Sequence, residues 1–455
     1  MITSGTEEAF AKGNLAMSAG DLANAESCFR DAIRLDPESS AAYANLALVL
    51  EKTGSLTRAE FYYRHSLALS PDLATVHLNL ANLLASLKRF DEAEASYRKA
   101  LSLEPNSAIA WSNLGVLYAC MQRDQEAEQC HLKAMELDSQ YAPARFNLSY
   151  LFLRRGDLGK GWDFLDARET SVTLSTYLGC PRWQGEPFAG KSILIGFEGG
   201  HGDMVQFCRY AAVLKSHGAS KVAIICPPAL TRLFSTVDDL DEIFSFEAHV
   251  PTSGWDFWTP VLSLPYRCHT RLDSIPVNIP YLHPPSDEVA RWDSMLPREG
   301  KRVGLVWKGS KKFENDADRS LPGLATLAPL GKISGIHFIG LQKGAGEDDA
   351  KHPPEGLSLL DMAPHLGDFA DTAAIIQCID LVICVDTAVA HVAGALGKPC
   401  WILLPYYKAD WRWLTERTDS PWYPGTTRLF RQSSMGNWPH VIDEVSAALM
   451  LLVNT

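Results

Sequence analysis

The 455-residue sequence predicts an α-helical repeat superhelix followed by an α/β module built from two parallel-sheet halves. Three observations carry that expectation. Small, apolar and proline positions recur every 34 residues through the first third of the chain, as Pro37, Pro71 and Pro105 show. The register stops after Arg168. Beyond it, short apolar runs alternate with helical stretches, the pattern of open parallel sheets.

The bulk composition fits globular domains: 21% charged residues and 46% from the set AVILMFWYC. A formal charge of −12 argues against a general nucleic-acid or anionic-membrane binder, because phosphate contacts need a basic face. One stretch departs from this balance. Between Lys301 and Lys343 eight Lys or Arg stand against Glu314, Asp316 and Asp318, a local excess suited to a phosphate. The N-terminal residues lack a basic start followed by an apolar core, and no run is long and apolar enough to span a bilayer. The 10 cysteines show no C-x-x-C pair and no metal spacing, as expected of reduced thiols. A cytoplasmic location is therefore expected.

In the repeat region, RLDPESSAAYANLALVL, ALSPDLATVHLNLANLL and SLEPNSAIAWSNLGVLY keep one register. Ala25, Ala59, Ala93 and Ala127 recur, followed four residues on by Phe29, Tyr63, Tyr97 and His131. Leu46, Leu80, Leu114 and Leu148 sit beside the small residues Ala47, Ala81, Gly115 and Ser149. Each unit reads as a helix pair: small residues allow close approach, the aromatic fills the next interface, and proline ends the second helix. This resembles the tetratricopeptide repeat from about Thr6 to Arg168. A fifth unit, FNLSYLFLRRGDLGKGWDFLDAR, carries Gly161 in place of the alanine and reads as a cap. Asn45, Asn79, Asn113 and Asn147 share one register. Carboxamides donate and accept at once, so this ladder is a candidate peptide-binding site; solvation of the inner face is the other reading.

The expected domains are a repeat domain at 1–170, a Gly/Pro-rich linker at 171–190, one sheet half at 191–290 and a second at 291–455. KSILIGF, KVAIIC and DEIFSF are the expected strands of the first half; RVGLVW, IHFIGL, LVICV and CWILL are those of the second. Ligands of such sheets bind at the carboxyl ends of strands.

Three strand-end motifs carry the chemistry. In DLVICVDTAVAHVAGALGKP a strand ends before Asp386 and Thr387, with His391 one turn inside the next helix. Asp386 is expected to cap that helix, whose free amides suit a diphosphate. In SILIGFEGGHGDMVQF, Gly199, Gly200 and Gly202 permit close backbone approach and a helix is expected to begin near Asp203. Taken by itself Asp203 reads as that helix's cap, with His201 beside it. In VGLVWKGSKKFENDADRSLP, Lys308, Lys311, Lys312 and Arg319 follow a strand, placed to neutralise a departing diphosphate. Gln342 and Lys343 stand at the next strand end. A segment dense in Trp and Arg, ADWRWLTERTDSPWYPGTTRLFRQ, is expected to pack one half on the other.

The segment around Asp386 resembles the ADP-heptose:lipopolysaccharide heptosyltransferases, glycosyltransferase family 9, with Ala388 where those enzymes usually carry glycine. Together with FADTAAII, DWRWL, DSPWYP and RLFRQ, it resembles a bacterial group that pairs tetratricopeptide repeats with such a transferase, including proposed flagellin glycosyltransferases. The resemblance implies a GT-B fold, a nucleotide-sugar co-substrate, no cofactor and no metal ligands. It implies Asp203 and His391 as catalytic residues. Gly200, Gly202, Lys308, Lys311, Arg319, Gln342, Lys343, Asp386 and Thr387 become the nucleotide-sugar site. The function this implies is metal-independent, inverting sugar transfer to a hydroxyl, on a protein recruited by the repeats. The alternative is a non-catalytic adaptor with a degenerate transferase domain. A dehydrogenase stands further off, since no G-x-G-x-x-G fingerprint appears.

Overall fold

The computed structural model describes residues 2–168 and 178–453. The chain divides into two compact units, Met1–Leu148 and Ser149–Thr455.

The first unit is helical. α1 (Ile2–Ser18) pairs with α2 (Leu22–Leu35), α3 (Ser40–Lys52) with α4 (Leu56–Leu69), α5 (Ala74–Ser86) with α6 (Phe90–Leu103), and α7 (Ala108–Cys120) with α8 (Asp124–Leu137). The register residues do the packing. Ala25, Phe29, Leu46, Ala47, Ala59, Tyr63, Ala81 and Ala127 are all buried. A methyl group on Gly115 would meet the His131 ring at 2.7 Å, and one on Gly13 would meet Phe29 at 2.6 Å. These contacts are why the positions must be small. His131 is fully buried, and desolvation pulls its imidazole down to about 4, so it packs as a neutral ring. A charged ladder not anticipated from the repeat signature runs at the same step: Arg89 pairs with Glu60 at 2.7 Å and Arg123 with Glu94 at 2.6 Å.

α9 (Ala142–Arg154) and α10 (Leu158–Asp166) form the fifth helix pair. Within the second unit, a methyl on Gly161 would strike Leu153 at 2.5 Å, so this glycine takes over the role of the register alanine. Trp162 of α10 is buried edge-on against Trp411 at 5.2 Å and donates its indole N–H to the Thr270 carbonyl at 3.1 Å. The capping repeat therefore shares the hydrophobic core of the α/β module.

That module holds two parallel sheets. The first has the order β3-β2-β1-β4, with β1 Ser192–Gly196, β2 Lys221–Cys226, β3 Glu242–Ser245 and β4 Phe257–Pro260. The second has the order β10-β9-β8-β5-β6-β7, with β5 Lys301–Val306, β6 Ile336–Gly340, β7 Leu359–Asp361, β8 Leu381–Val385, β9 Cys400–Leu404 and β10 Thr427–Arg431. Strands β4, β7 and β10 are additions to the expected set; each is an edge strand of its sheet. The expected linker falls at 171–177 outside the described residues. Its remainder is anchored, with Trp183 and Phe188 buried and Arg182 bridged to Trp258. The helix expected after β1 is two segments, His201–Phe207 and Tyr210–Ser216. At the break, the buried Arg209 donates to the carbonyls of Pro276 at 3.0 Å and Trp422 at 2.8 Å and to the Tyr281 hydroxyl at 2.9 Å. One guanidinium thus ties the helix after β1 to the segment holding Pro276 and Tyr281 and to Trp422 of the second half.

Candidate functional site

Segments that follow β1, β5, β8 and β9 meet through Asp203, Arg319, Asp386 and Arg412. The helix after β1, His201–Phe207, packs on the helix after β8, Ala388–Ala395. Gly202 makes this possible: a methyl there would sit 2.7 Å from His391 and 3.5 Å from the Ala388 backbone. Gly202 serves helix contact rather than approach to a ligand. Gly200 is the helix N-cap, and Gly199 at φ +76° lies against the Asp203 carboxylate.

Asp203 is the third residue of its helix rather than the start. Its Oδ2 accepts the Gly200 amide at 2.6 Å, and its Oδ1 pairs with Arg412. Burial raises its carboxyl above the ordinary aspartate range, while Arg412 and the Gly200 amide pull the other way. A carboxylate with raised basicity at a strand end is suited to accept a proton. His201 is exposed and lies against the Phe369 ring at 5.2 Å, and among the described residues it shares no hydrogen bond with Asp203.

One expectation at the β8 end is corrected. Asp386 is not the helix cap; Thr387 occupies that position, with extended φ −143° and no side-chain cap bond. The Thr387 hydroxyl oxygen is buried without a hydrogen-bond partner. Asp386 is buried, and desolvation with Asp410 nearby pushes its carboxyl up to about 6, partly opposed by Arg319 and the Trp413 indole. His391 lies one turn inside this helix. Its ring is buried, bonded through Nδ1 to the Tyr423 hydroxyl at 2.9 Å and stacked on Trp413 at 5.3 Å. Burial, with Arg412 and Arg209 nearby, holds it neutral.

At the β5 end the loop presents exposed Lys311 and Lys312. Lys308 reaches the Pro322 carbonyl at 2.8 Å. Arg319 pairs with Asp316 at 3.3 Å, stacks on Phe313 at 4.2 Å and acts electrostatically on Asp386. Gln342 is committed to the backbone. Its oxygen accepts the Trp307 and Lys308 amides at 2.9 and 2.8 Å, and its nitrogen donates to the Ala345 carbonyl at 2.8 Å. It shapes this loop and has no capacity left for a nucleoside. Lys343 donates to the Ala363 carbonyl at 3.0 Å.

The side chains that sequence reasoning passed over come from the Trp/Arg-rich loop after β9. Arg412 is buried, and besides Asp203 it binds Asp410 at 3.0 Å and the Gln206 carboxamide oxygen at 2.6 Å. The Gln206 nitrogen is buried without a partner among the described residues. The buried Trp413 indole N–H lies near enough to Asp386 to favour its ionised form, yet makes no well-formed hydrogen bond. With the Thr387 hydroxyl, they make a group of unsatisfied polar atoms around Asp386 and Arg412. Tyr150 of α9, 40% exposed, acts electrostatically on the same cluster. The motif DWRWL carried the signal, but tryptophan packing offered a sufficient explanation for it.

In the repeat unit the four register asparagines are half-buried. Asn45 donates to Asn14 at 2.9 Å and Asn113 to Asn82 at 2.9 Å, each one repeat back.

Comparison with known proteins bears on both units. Residues 332–403 match the profile of glycosyltransferase family 9 (heptosyltransferase). Residues 9–39 match the tetratricopeptide repeat, and 39–138 match the middle TPR-like domain of cilia and flagella-associated protein 70. The matches thus place similarity to tetratricopeptide repeats in residues 9–138 and similarity to family 9 glycosyltransferases in residues 332–403. The family 9 match spans β6 to β9 and so includes Gln342, Lys343, Asp386, Thr387 and His391, whereas Asp203 and Arg412 lie outside it. The two parallel sheets are consistent with the GT-B fold of glycosyltransferases. Protein FlbA of Caulobacter vibrioides is 26% identical over 324 residues, covering 66% of this chain and 53% of that protein. The chain thus spans about half the length of this curated relative. Among solved structures, PilF of Pseudomonas aeruginosa is similar with 22% identity and a TM-score of 0.35, over 38% of this chain and 82% of that one. YrrB, described as a TPR protein with an unusual peptide-binding site, aligns at 21% identity and a TM-score of 0.32, over 36% of this chain and 89% of that one. No helix among the described residues is long and apolar enough to cross a membrane.

Proposed function

We propose that this protein transfers a sugar from a nucleotide-sugar donor to a hydroxyl of a protein acceptor recruited by the repeats, with inversion at the anomeric carbon. The observation that carries the reading is Asp203. It is a partly exposed carboxylate of raised basicity on the helix after β1, paired with Arg412, which also acts on Asp386 at the β8 end. In a single displacement the acceptor oxygen attacks the anomeric carbon, its proton passes to Asp203, and the bond to the diphosphate breaks. Lys308, Lys311, Lys312 and Arg319 neutralise the leaving diphosphate, with Thr387 and the amides of the following helix as further donors. Asp386, with the Thr387 hydroxyl and Trp413 indole beside it, is placed to bind sugar hydroxyls. The repeats and the location of the reaction, expected in the cytoplasm, complete the proposal.

A scaffold reading also has an observation behind it: both Asp203 oxygens already have partners within the protein. One experiment separates the two. Calorimetry with ADP, UDP, GDP and CDP should find a nucleoside diphosphate that binds wild type and Asp203→Asn alike. Sugar transfer by Asp203→Asn should fall by about 10²–10⁴-fold, the usual contribution of a positioned base. No binding of any of the four at millimolar concentration, or wild-type turnover by Asp203→Asn, would defeat the enzyme mechanism as written.

A further inference from the structure

We propose that Arg412 is a positioning residue for Asp203, reaching across the cleft from the second sheet half to hold the carboxylate of the first. This inference rests on the reading of Asp203 as the base. Three geometric facts support it. The guanidinium is buried, with a side chain only 9% exposed, so its ion pairs act in a medium that screens poorly. It is fixed from three directions: Nη2 on Asp203, Nη1 on both oxygens of Asp410 at 3.0 and 3.1 Å, and Nε on Gln206 at 2.6 Å. Its partners lie on different halves, Asp203 and Gln206 on the helix after β1, Asp410 on the loop after β9. A lysine could make one of these contacts but not the planar set.

The consequence is that base strength depends on the cleft being assembled. Arg412 draws Asp203 toward the ionised form, and Asp410, competing for the same guanidinium, draws it back. The other groups acting on Asp203 are few. Glu198 after β1 opposes ionisation, Tyr150 interacts from α9, and His391, on the helix packed against this one, stays neutral. Asp386 in turn interacts with both Asp410 and Arg412. Removing either member of the Arg412–Asp410 pair should therefore move the Asp203 titration, in opposite directions. A loss of fold would not produce that pattern.

The test needs no donor. Full-length protein labelled with [γ-¹³C]aspartate is titrated by NMR, with the Asp203 signal identified by its loss in Asp203→Asn. In Arg412→Met the Asp203 titration should move up by about 1–3 pH units, the usual effect of removing an adjacent cation, and in Arg412→Lys by less. In Asp410→Asn it should move down. Far-ultraviolet circular dichroism of each variant confirms the fold. An Asp203 titration unchanged in Arg412→Met, or moved the same way in Arg412→Met and Asp410→Asn, overturns the proposal. Failure of the base reading would show separately, as wild-type transfer by Asp203→Asn whatever the titrations give.

Discussion

A carboxylate at the end of a fully buried strand is costly to keep, and Asp386 is such a group. Its carboxyl is pushed from an ordinary 3.8 to about 6. Between those values the folded chain binds more protons than the unfolded chain, so stability falls as pH rises from about 4 through about 6. Asp386→Asn removes this penalty. At pH 7 the variant should be more stable by up to about 3 kcal/mol, at roughly 1.4 kcal/mol for each pH unit separating the two values. Its stability should no longer decline across that window. Urea denaturation at a series of pH values checks it, and an Asp386→Asn protein with the wild-type pH slope refutes it. A residue that burdens the fold yet stands at a strand end beside unsatisfied polar atoms is the signature of a functional carboxylate. Sequence reasoning put Asp386 at the strand end but assigned it the wrong local task. Which of two adjacent residues caps a helix depends on where the backbone leaves extended geometry, and Thr387 rather than Asp386 sits at that point.

Elements were more legible where spacing encodes contact. The 34-residue register located the helix pairs because a buried small residue must face a buried ring once per unit. Strands β4, β7 and β10 were not legible: the first two run for 4 and 3 residues, too few to show a period, and β10 read only as part of an Arg- and Trp-rich motif. The surroundings of His391 were not legible because the packing of its helix on the helix after β1 is a long-range fact. Gly202 and Tyr423, distant from it in sequence, enclose its ring. The helix contact itself can be tested. Gly202→Ala places a methyl 2.7 Å from the His391 ring, so the helices His201–Phe207 and Ala388–Ala395 must separate. Overpacking of this kind costs about 1–3 kcal/mol. Gly200→Ala is the control: the methyl's nearest neighbour is 3.6 Å away and φ is −103°, so the loss should stay within about 1 kcal/mol. Equal melting temperatures for the two variants would show that the contact does not constrain the cleft.

At the scale of the whole molecule, the proposal joins a repeat array to a transfer site, and the asparagine register is where that joining can be tested. The four asparagines are equivalent by sequence but not by structure. Asn45 and Asn113 each hydrogen-bond to an asparagine 31 residues earlier. The same offset from Asn79 and Asn147 leads to Leu48 and Val116, whose side chains offer no hydrogen bond. Two pairs of substitutions therefore separate stability from recruitment. Asn45→Ala with Asn113→Ala removes two bonds between repeats, each contributing about 0.5–1.5 kcal/mol, and should lower the melting temperature of the repeat unit. Asn79→Ala with Asn147→Ala should leave the melting temperature near wild type, because no such bond is lost. If the register holds an acceptor chain, that second variant should still show reduced glycosylation of a protein acceptor. Its hydrolysis of the sugar nucleotide by water should persist, since water needs no recruitment. Undiminished glycosylation by Asn79→Ala/Asn147→Ala would place the acceptor elsewhere on the repeats. Parallel loss of hydrolysis would mean that the substitutions had disturbed the transfer site itself.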